Sequence, residues 1–211
     1  MSIVNIKLND YLEKAGIDET KSLLSSFFCS RDSDVEYFIR NKAIPFEYSD
    51  HSRTTLICWL DDENGELELI AYYSIANQVF YLDGLSATLQ RKLRGGEIRE
   101  KQKSNSLTAI LIGQLGKNDR ASCPINSNSL FNELYSSINE INKLIPSRLI
   151  YLHCKDVTKL RTIYESKGFQ LLNDLEGNPI VHNGDGEQYL VYIMSMKELK
   201  RILSENESTK S

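Results

Sequence analysis

Apolar positions fall at helical spacing from the start of the chain. Leu8, Tyr11, Leu12 and Ala15 share one face, and Gly16 predicts the stop. Asp18-Glu19-Thr20 predicts the cap of a second short helix carrying Leu23, Leu24 and Phe27. Ser33 or Asp34 predicts the cap of a third, through Val35, Phe38 and Ile39, with Pro45 as its expected end. The period then changes. Thr54–Leu60 is rich in Thr, Ile, Leu and Trp, Asn64-Gly65 supplies a turn, and Leu67–Ile75 returns, which together predict a hairpin. A shorter strand is expected at Val79–Leu82, a short basic helix over Leu85–Leu93 halted by Gly95-Gly96, and a polar loop over 97–106.

The second half alternates strand and helix. Leu107–Leu115 is almost continuously apolar, as in a central strand covered on both faces. After a small, polar stretch, Leu130, Leu134, Ile138, Ile141 and Ile145 predict an amphipathic helix closed by Pro146. Leu149–Cys154 reads as another buried strand. A helix then starts at Asp156 or Thr158, runs through Leu160, Ile163 and Tyr164, and stops at Gly168. Phe169–Leu172 opens a strand, 173–186 is turn-rich, and Gln188–Ser195 is the final strand. The order predicts an α/β (α+β) domain over 1–199. It has a mixed sheet, helices on both faces, and a crossover short enough to be parallel between 107 and 154. The polar tail 200–211 is expected to fray.

Composition adds exclusions. With 211 residues, 41% hydrophobic and 26% charged, the chain matches an ordinary soluble globular domain. No signal peptide and no apolar run of about 20 residues is visible, so a cytoplasmic location without a membrane is expected. Cys29, Cys58, Cys123 and Cys154 stand far apart, with only His51, His153 and His182 to join them, so no metal site is expected. The formal net charge is −4, although 84–106 is locally basic through Arg91, Lys92, Arg94, Arg99, Lys101 and Lys103. That segment suits an acidic ligand or a solvated loop.

Candidate chemistry centres on 107–131. A strand whose loop opens onto a helix N-terminus presents unpaired N–H groups to an anion. A polar loop with a Ser/Asn cap explains Ser127 and Asn128 equally well. His153 beside Cys154 lacks an identifiable third group for nucleophilic chemistry. Glu66 and Glu68 on the hairpin are candidates for relaying a proton from an amine, or are simply solvated carboxylates.

Several segments, in order, resemble the GCN5-related N-acetyltransferases (GNAT). Ile163-Tyr164-Glu165-Ser166-Lys167-Gly168-Phe169 is similar to the family's (F/L)Y-x-x-x-G-F signature. Residues 111–118 resemble its central strand, and Val191–Met196 its closing strand. Phe27-Phe28 and 34–39 are similar to the first helix of toxin-like members. The resemblance implies a GNAT-like acyl-CoA acyltransferase fold with a mostly antiparallel sheet. It further implies acetyl-CoA as cosubstrate without a metal, and transfer of the acetyl group to an amine. Tyr164 would be the general acid. Leu115, Gly116 and Lys117 would hold the pantetheine arm, and Ser122, Cys123, Ile125, Asn126, Ser127 and Asn128 the pyrophosphate. The family's (Q/R)-x-x-G-x-(G/A) loop falls on residues 120–127, where there is no glycine and Pro124 removes a donor. The Asn often found seven residues before the Tyr is Val157 here. This degenerate loop supports a rival expectation, a GNAT-fold binding or regulatory protein with impaired catalysis. A narrower version of the enzyme reading is a toxin acetylating aminoacyl-tRNA, against which the charge of −4 weighs. A monomer or homodimer is expected.

Overall fold

The computed structural model describes residues 2–95, 105–184 and 186–208, and the hairpin forms where Asn64-Gly65 places it. Gly65 takes φ +75°, its amide donates to the Asp61 carbonyl, and the Asn64 side chain accepts from the Glu66 amide. The hairpin strands are β2 (Arg53–Leu60) and β3 (Leu67–Tyr81); β3 absorbs the separate strand expected at Val79–Leu82. Register skips Ile70, since Ile57 faces Ala71 while Cys58 faces Leu69, so Ile70 bulges out of the ladder.

The chain divides into two compact units, residues 1–76 with 112–130 and residues 77–111 with 131–211. In the first unit the strand order is β1-β2-β3-β4, where β1 is Ser2–Lys7 and β4 is Ser106–Lys117. β1 lies antiparallel to β2, from Ser2 opposite Leu60 to Lys7 opposite Thr55. It went unpredicted because only Val4 and Ile6 on one face are partly buried, the weak signal of an outer strand. Helices α1 (Leu8–Ala15) and α2 (Ile17–Ser25) follow, joined by Gly16 at φ +80°. α3 (Ser33–Tyr37) is capped one residue earlier than expected, by Asp32 accepting from the Asp34 amide. Pro45 does not end this helical stretch. A π-helical turn at Phe38–Lys42 widens the backbone, and Pro45 enters the first turn of α4 (Ala43–Tyr48), where its missing N–H is harmless. Leu24, Phe27, Ile39, Leu56, Leu69 and Tyr72 form the core of this unit.

In the second unit the order is β3-β4-β5-β8-β6, with β7 also pairing β8. These are β5 (Leu149–Cys154), β6 (Gln170–Leu171), β7 (Val181–Gly184) and β8 (Glu187–Ser195). All three partners of β8 run antiparallel to it, so the eight-stranded sheet is mostly antiparallel. β7 replaces part of the turn-rich loop expected at 173–186. α5 (Ala87–Leu93) is capped by Ser86, and α7 (Thr158–Ser166) ends before Gly168 at φ +91°. α6 (Ser127–Leu144) starts three residues before the expected Leu130, because Asn126 caps it. The fraying tail is corrected to a helix, α8 (Met196–Ser208), whose Leu199 is fully buried. Arg99, Lys101 and Lys103 lie outside the described residues. No helix among those described is long and apolar enough to cross a membrane.

Candidate active site

The site in the first unit is built on the end of β4. Residues 112–117 are the part of β4 that belongs to this unit, next to β3 in the strand order. Gly116 is buried, and its absent side chain lets α3 and the core close over the strand. A Cβ there would lie 2.4 Å from Val35 Cγ1, 3.0 Å from Phe27 Cζ and 3.2 Å from Tyr72 Cε1. Tyr72 is itself fixed by donating to the Val35 carbonyl at 2.6 Å, and burial raises its phenol pKa. Leu115 and Lys117 are half-buried on the opposite side of the strand.

Asn118 anchors the strand end. Its amide donates to the carbonyl of the bulged Ile70 at 2.8 Å, and its side-chain NH2 donates to the Leu69 carbonyl at 2.7 Å. Its side-chain oxygen accepts from the amides of Phe28, at 3.1 Å, and Arg120, at 3.0 Å. The bulge in β3 and the turn after α2 are thus tied to one buried side chain, 4% exposed. Asp119 reinforces it by accepting from the Ser30 hydroxyl and amide, bonds that hold its carboxyl below the usual range. The Arg120 guanidinium lies 4.1 Å from the centroid of the Phe28 ring.

Residues 121–126 lead from there into α6. The Ser122 amide donates to Glu68 at 2.7 Å, its hydroxyl bonds the same carboxylate, and Trp59 Nε1 donates to the Cys123 carbonyl at 2.8 Å. Glu68 is therefore committed to the loop rather than poised as a proton relay. The Ser122 amide, expected to face a phosphate, faces a carboxylate instead. Ile125 is buried and pins the loop, and Asn126 caps α6 by accepting from the Ser129 amide. The amides of Cys123, Ile125 and Ser127 have no partner among the described residues. Lys117 Nζ lies 3.3 Å from Ser127 Oγ, bringing a cation to the same helix start. These groups fit an anionic ligand; the Ser122 amide is not free to join them.

In the second unit, Tyr164 on α7 is half-buried among three aromatic rings. Phe131 and Phe169 meet it edge-on at 6.2 and 6.1 Å, and Tyr192 lies at 6.1 Å. Gly168 secures this arrangement, since a Cβ there would meet Ile202 Cδ1 at 2.7 Å. The Tyr192 hydroxyl donates to Glu165 Oε1 at 3.1 Å, fixing the neighbouring turn of α7. The sequence offered Glu68 as a proton relay and Asn118 only as the end of a strand; nothing in its spacing announced that Glu68, Trp59 and Asn118 hold the loop.

The other chemical candidates resolve as packing. His153 stacks on His182, centroids 4.1 Å apart, and burial together with that ring lowers its pKa to about 4. Burial raises the Cys154 thiol to about 11, which keeps it protonated and unreactive. No group of metal-ligating side chains occurs among the described residues.

No family model and no curated protein matches the chain, whereas solved structures do. A tyrosine-to-phenylalanine variant of KacT superposes with a TM-score of 0.67 at 12% identity, covering 96% of this chain and 99% of that one. AtaT complexed with acetyl-methionyl-tRNAfMet gives a TM-score of 0.64 at 14% identity, with 95% and 99% covered. AtaTR bound with acetyl-CoA gives 0.64 at 15% identity, with 95% and 97% covered. The chain has this GNAT-like fold, as its ordered sequence motifs imply.

Proposed function

We propose that this protein is an acetyl-CoA-dependent N-acetyltransferase whose acceptor is the α-amino group of an aminoacyl-tRNA. The observation that carries the reading is the likeness, over nearly the whole chain, to AtaT complexed with acetyl-methionyl-tRNAfMet. That likeness favours the tRNA acceptor over the argument from net charge, since charge −4 is a property of the whole molecule and not of one face. The reaction draws on acetyl-CoA and aminoacyl-tRNA, both cytoplasmic compounds, so the cytoplasm is the proposed place of action.

In this reading the backbone of Leu115–Lys117 takes the pantetheine arm by strand-like pairing, and one amide polarises the thioester carbonyl. The amides of Cys123, Ile125 and Ser127, with Lys117, take the pyrophosphate at the start of α6. Asn126 and Asn128 border that helix start. The deprotonated amine attacks the carbonyl carbon, forming the C–N bond and a tetrahedral oxyanion. The C–S bond then breaks, its electron pair leaves on sulfur, and Tyr164 supplies the proton that makes the free thiol. The proton lost by the amine passes to solvent.

Purified protein incubated with radiolabelled acetyl-CoA and a mixture of aminoacyl-tRNAs tests the reading. Label in the tRNA fraction, released as N-acetyl amino acid on mild base, is the expected result. Label transferred only to free amines or protein would retain the enzyme but overturn the acceptor. No acetyl-CoA binding at millimolar concentration by calorimetry would instead favour a GNAT-fold binding protein, the reading that Glu68 at the Ser122 amide supports.

A further inference from the structure

We propose that a groove in the second unit, walled by α5, β8 and α8, docks an acidic segment of a partner polypeptide that also carries apolar side chains. The groove has a volume of about 560 Å3. Leu93, Ile193 and Met194 line its floor. Lys92 stands on one wall, and Lys197 and Lys200 on the other. None of these lysines makes an ion pair among the described residues. They are exposed, and they form a basic island on a chain whose net charge is −4.

The helix geometry makes the island directional. Residues 197, 200, 201 and 204 repeat at helical spacing, so α8 turns one polar stripe to the groove. Its buried Leu199 is not among the lining residues, and Ile202 lies against the bare backbone of Gly168. The remaining charged wall residues largely cancel: Arg201 bonds both Glu198 and Glu205, which leaves the three lysines uncompensated. Two further observations select a polypeptide. No aromatic side chain lines the groove to stack a base, and the free cations are lysines rather than the guanidinium forks that recognise phosphate bidentately. The apolar floor instead rewards Leu-, Ile- or Phe-type anchors flanked by carboxylates, the pattern of an amphipathic acidic helix laid in a groove. This proposal does not depend on acetyl transfer.

A phage-displayed library of random peptides, selected against the full chain, is the test. Selected peptides are expected to combine Asp or Glu with large apolar residues. Their affinity, by fluorescence anisotropy, should fall about tenfold or more on K197E/K200E and by a lesser factor on K197Q/K200Q. Circular dichroism and urea midpoints matching the parent would show that both variants fold. Peptides lacking carboxylates, peptides bound equally by the charge-reversed protein, or no recovered peptide would each overturn the proposal. A single-stranded or duplex oligonucleotide that binds and is released by K197E/K200E, with no peptide doing so, would reassign the groove to nucleic acid.

Discussion

Replacing Gly116 by alanine places a methyl group where Val35 already stands. The new Cβ would be 2.4 Å from Val35 Cγ1, against an ordinary carbon–carbon contact of about 3.5–4.0 Å, so strand or helix must move by about 1 Å. Gly116 is not among the positive-φ glycines, so backbone strain adds nothing, and alanine would by itself stabilise by about 0.4–1 kcal/mol through the unfolded chain. Overpacking a core costs about 1–3 kcal/mol, which leaves a net loss between about zero and 2.6 kcal/mol. Because Val35 is the closest neighbour, the loss should shrink in a Val35→Ala background. The residual contacts at Phe27 and Tyr72, 3.0 and 3.2 Å, need only a few tenths of an ångström of relief. The expected coupling is about 1 kcal/mol, readable in a double-mutant cycle by urea denaturation. Trp59, the single tryptophan, sits on β2 in the same unit, so its fluorescence reports the right transition. Equal cost in both backgrounds would refute the steric argument. A Gly116→Ala variant more stable than the parent would refute the close approach itself.

Three further outcomes are expected. Tyr164→Phe should lower kcat by about 10²–10⁴-fold while leaving acetyl-CoA affinity by calorimetry nearly unchanged; an unaltered rate would remove Tyr164 from the chemistry. Asn118→Ala strands the Leu69 carbonyl and the Phe28 amide, and should cost about 2–4 kcal/mol in the Trp59-detected transition; a loss under 1 kcal/mol would show that water replaces the side chain. His153 has a folded-state pKa of about 4 against about 6.5 unfolded, so the unfolded chain binds the proton first as pH falls. Stability should therefore decline between about pH 6.5 and 4, by at most about 3 kcal/mol. His153→Leu should flatten that part of the profile of urea midpoints against pH, and an unchanged slope would exonerate the histidine.

Local signals carried the architecture a long way. Asn64-Gly65 set a turn whose φ no other residue type takes cheaply, and Gly168 marked the end of α7 for the same reason. Elements with weak patterning were missed: β1, because one face is solvent; β7, because its four residues sit among turn formers; and α8, because its charge masks Leu199 and Ile202. Pro45 misled because a π-helical turn three-dimensionally reconciles proline with a continuing helix. The candidate site was legible as a strand, loop and helix start. What holds the loop was not, since Glu68 reaches Ser122 and Trp59 reaches Cys123 across stretches of chain that carry no shared period.

The position of β8 in the chain also decides when the second unit becomes closed to solvent during synthesis. β5 at 149–154 finds its antiparallel partner only in residues 190–195, and β6 and β7 pair with that same strand. Three strands emerging from the ribosome therefore wait on one that is made last. At about 5–20 residues per second this is a delay of a few seconds, during which the apolar edge of β5, Leu149 to Leu152, is open to foreign strands. Stop codons or ribosome stalls upstream of residue 190 should thus yield aggregates or chaperone clients rather than a shortened but folded protein.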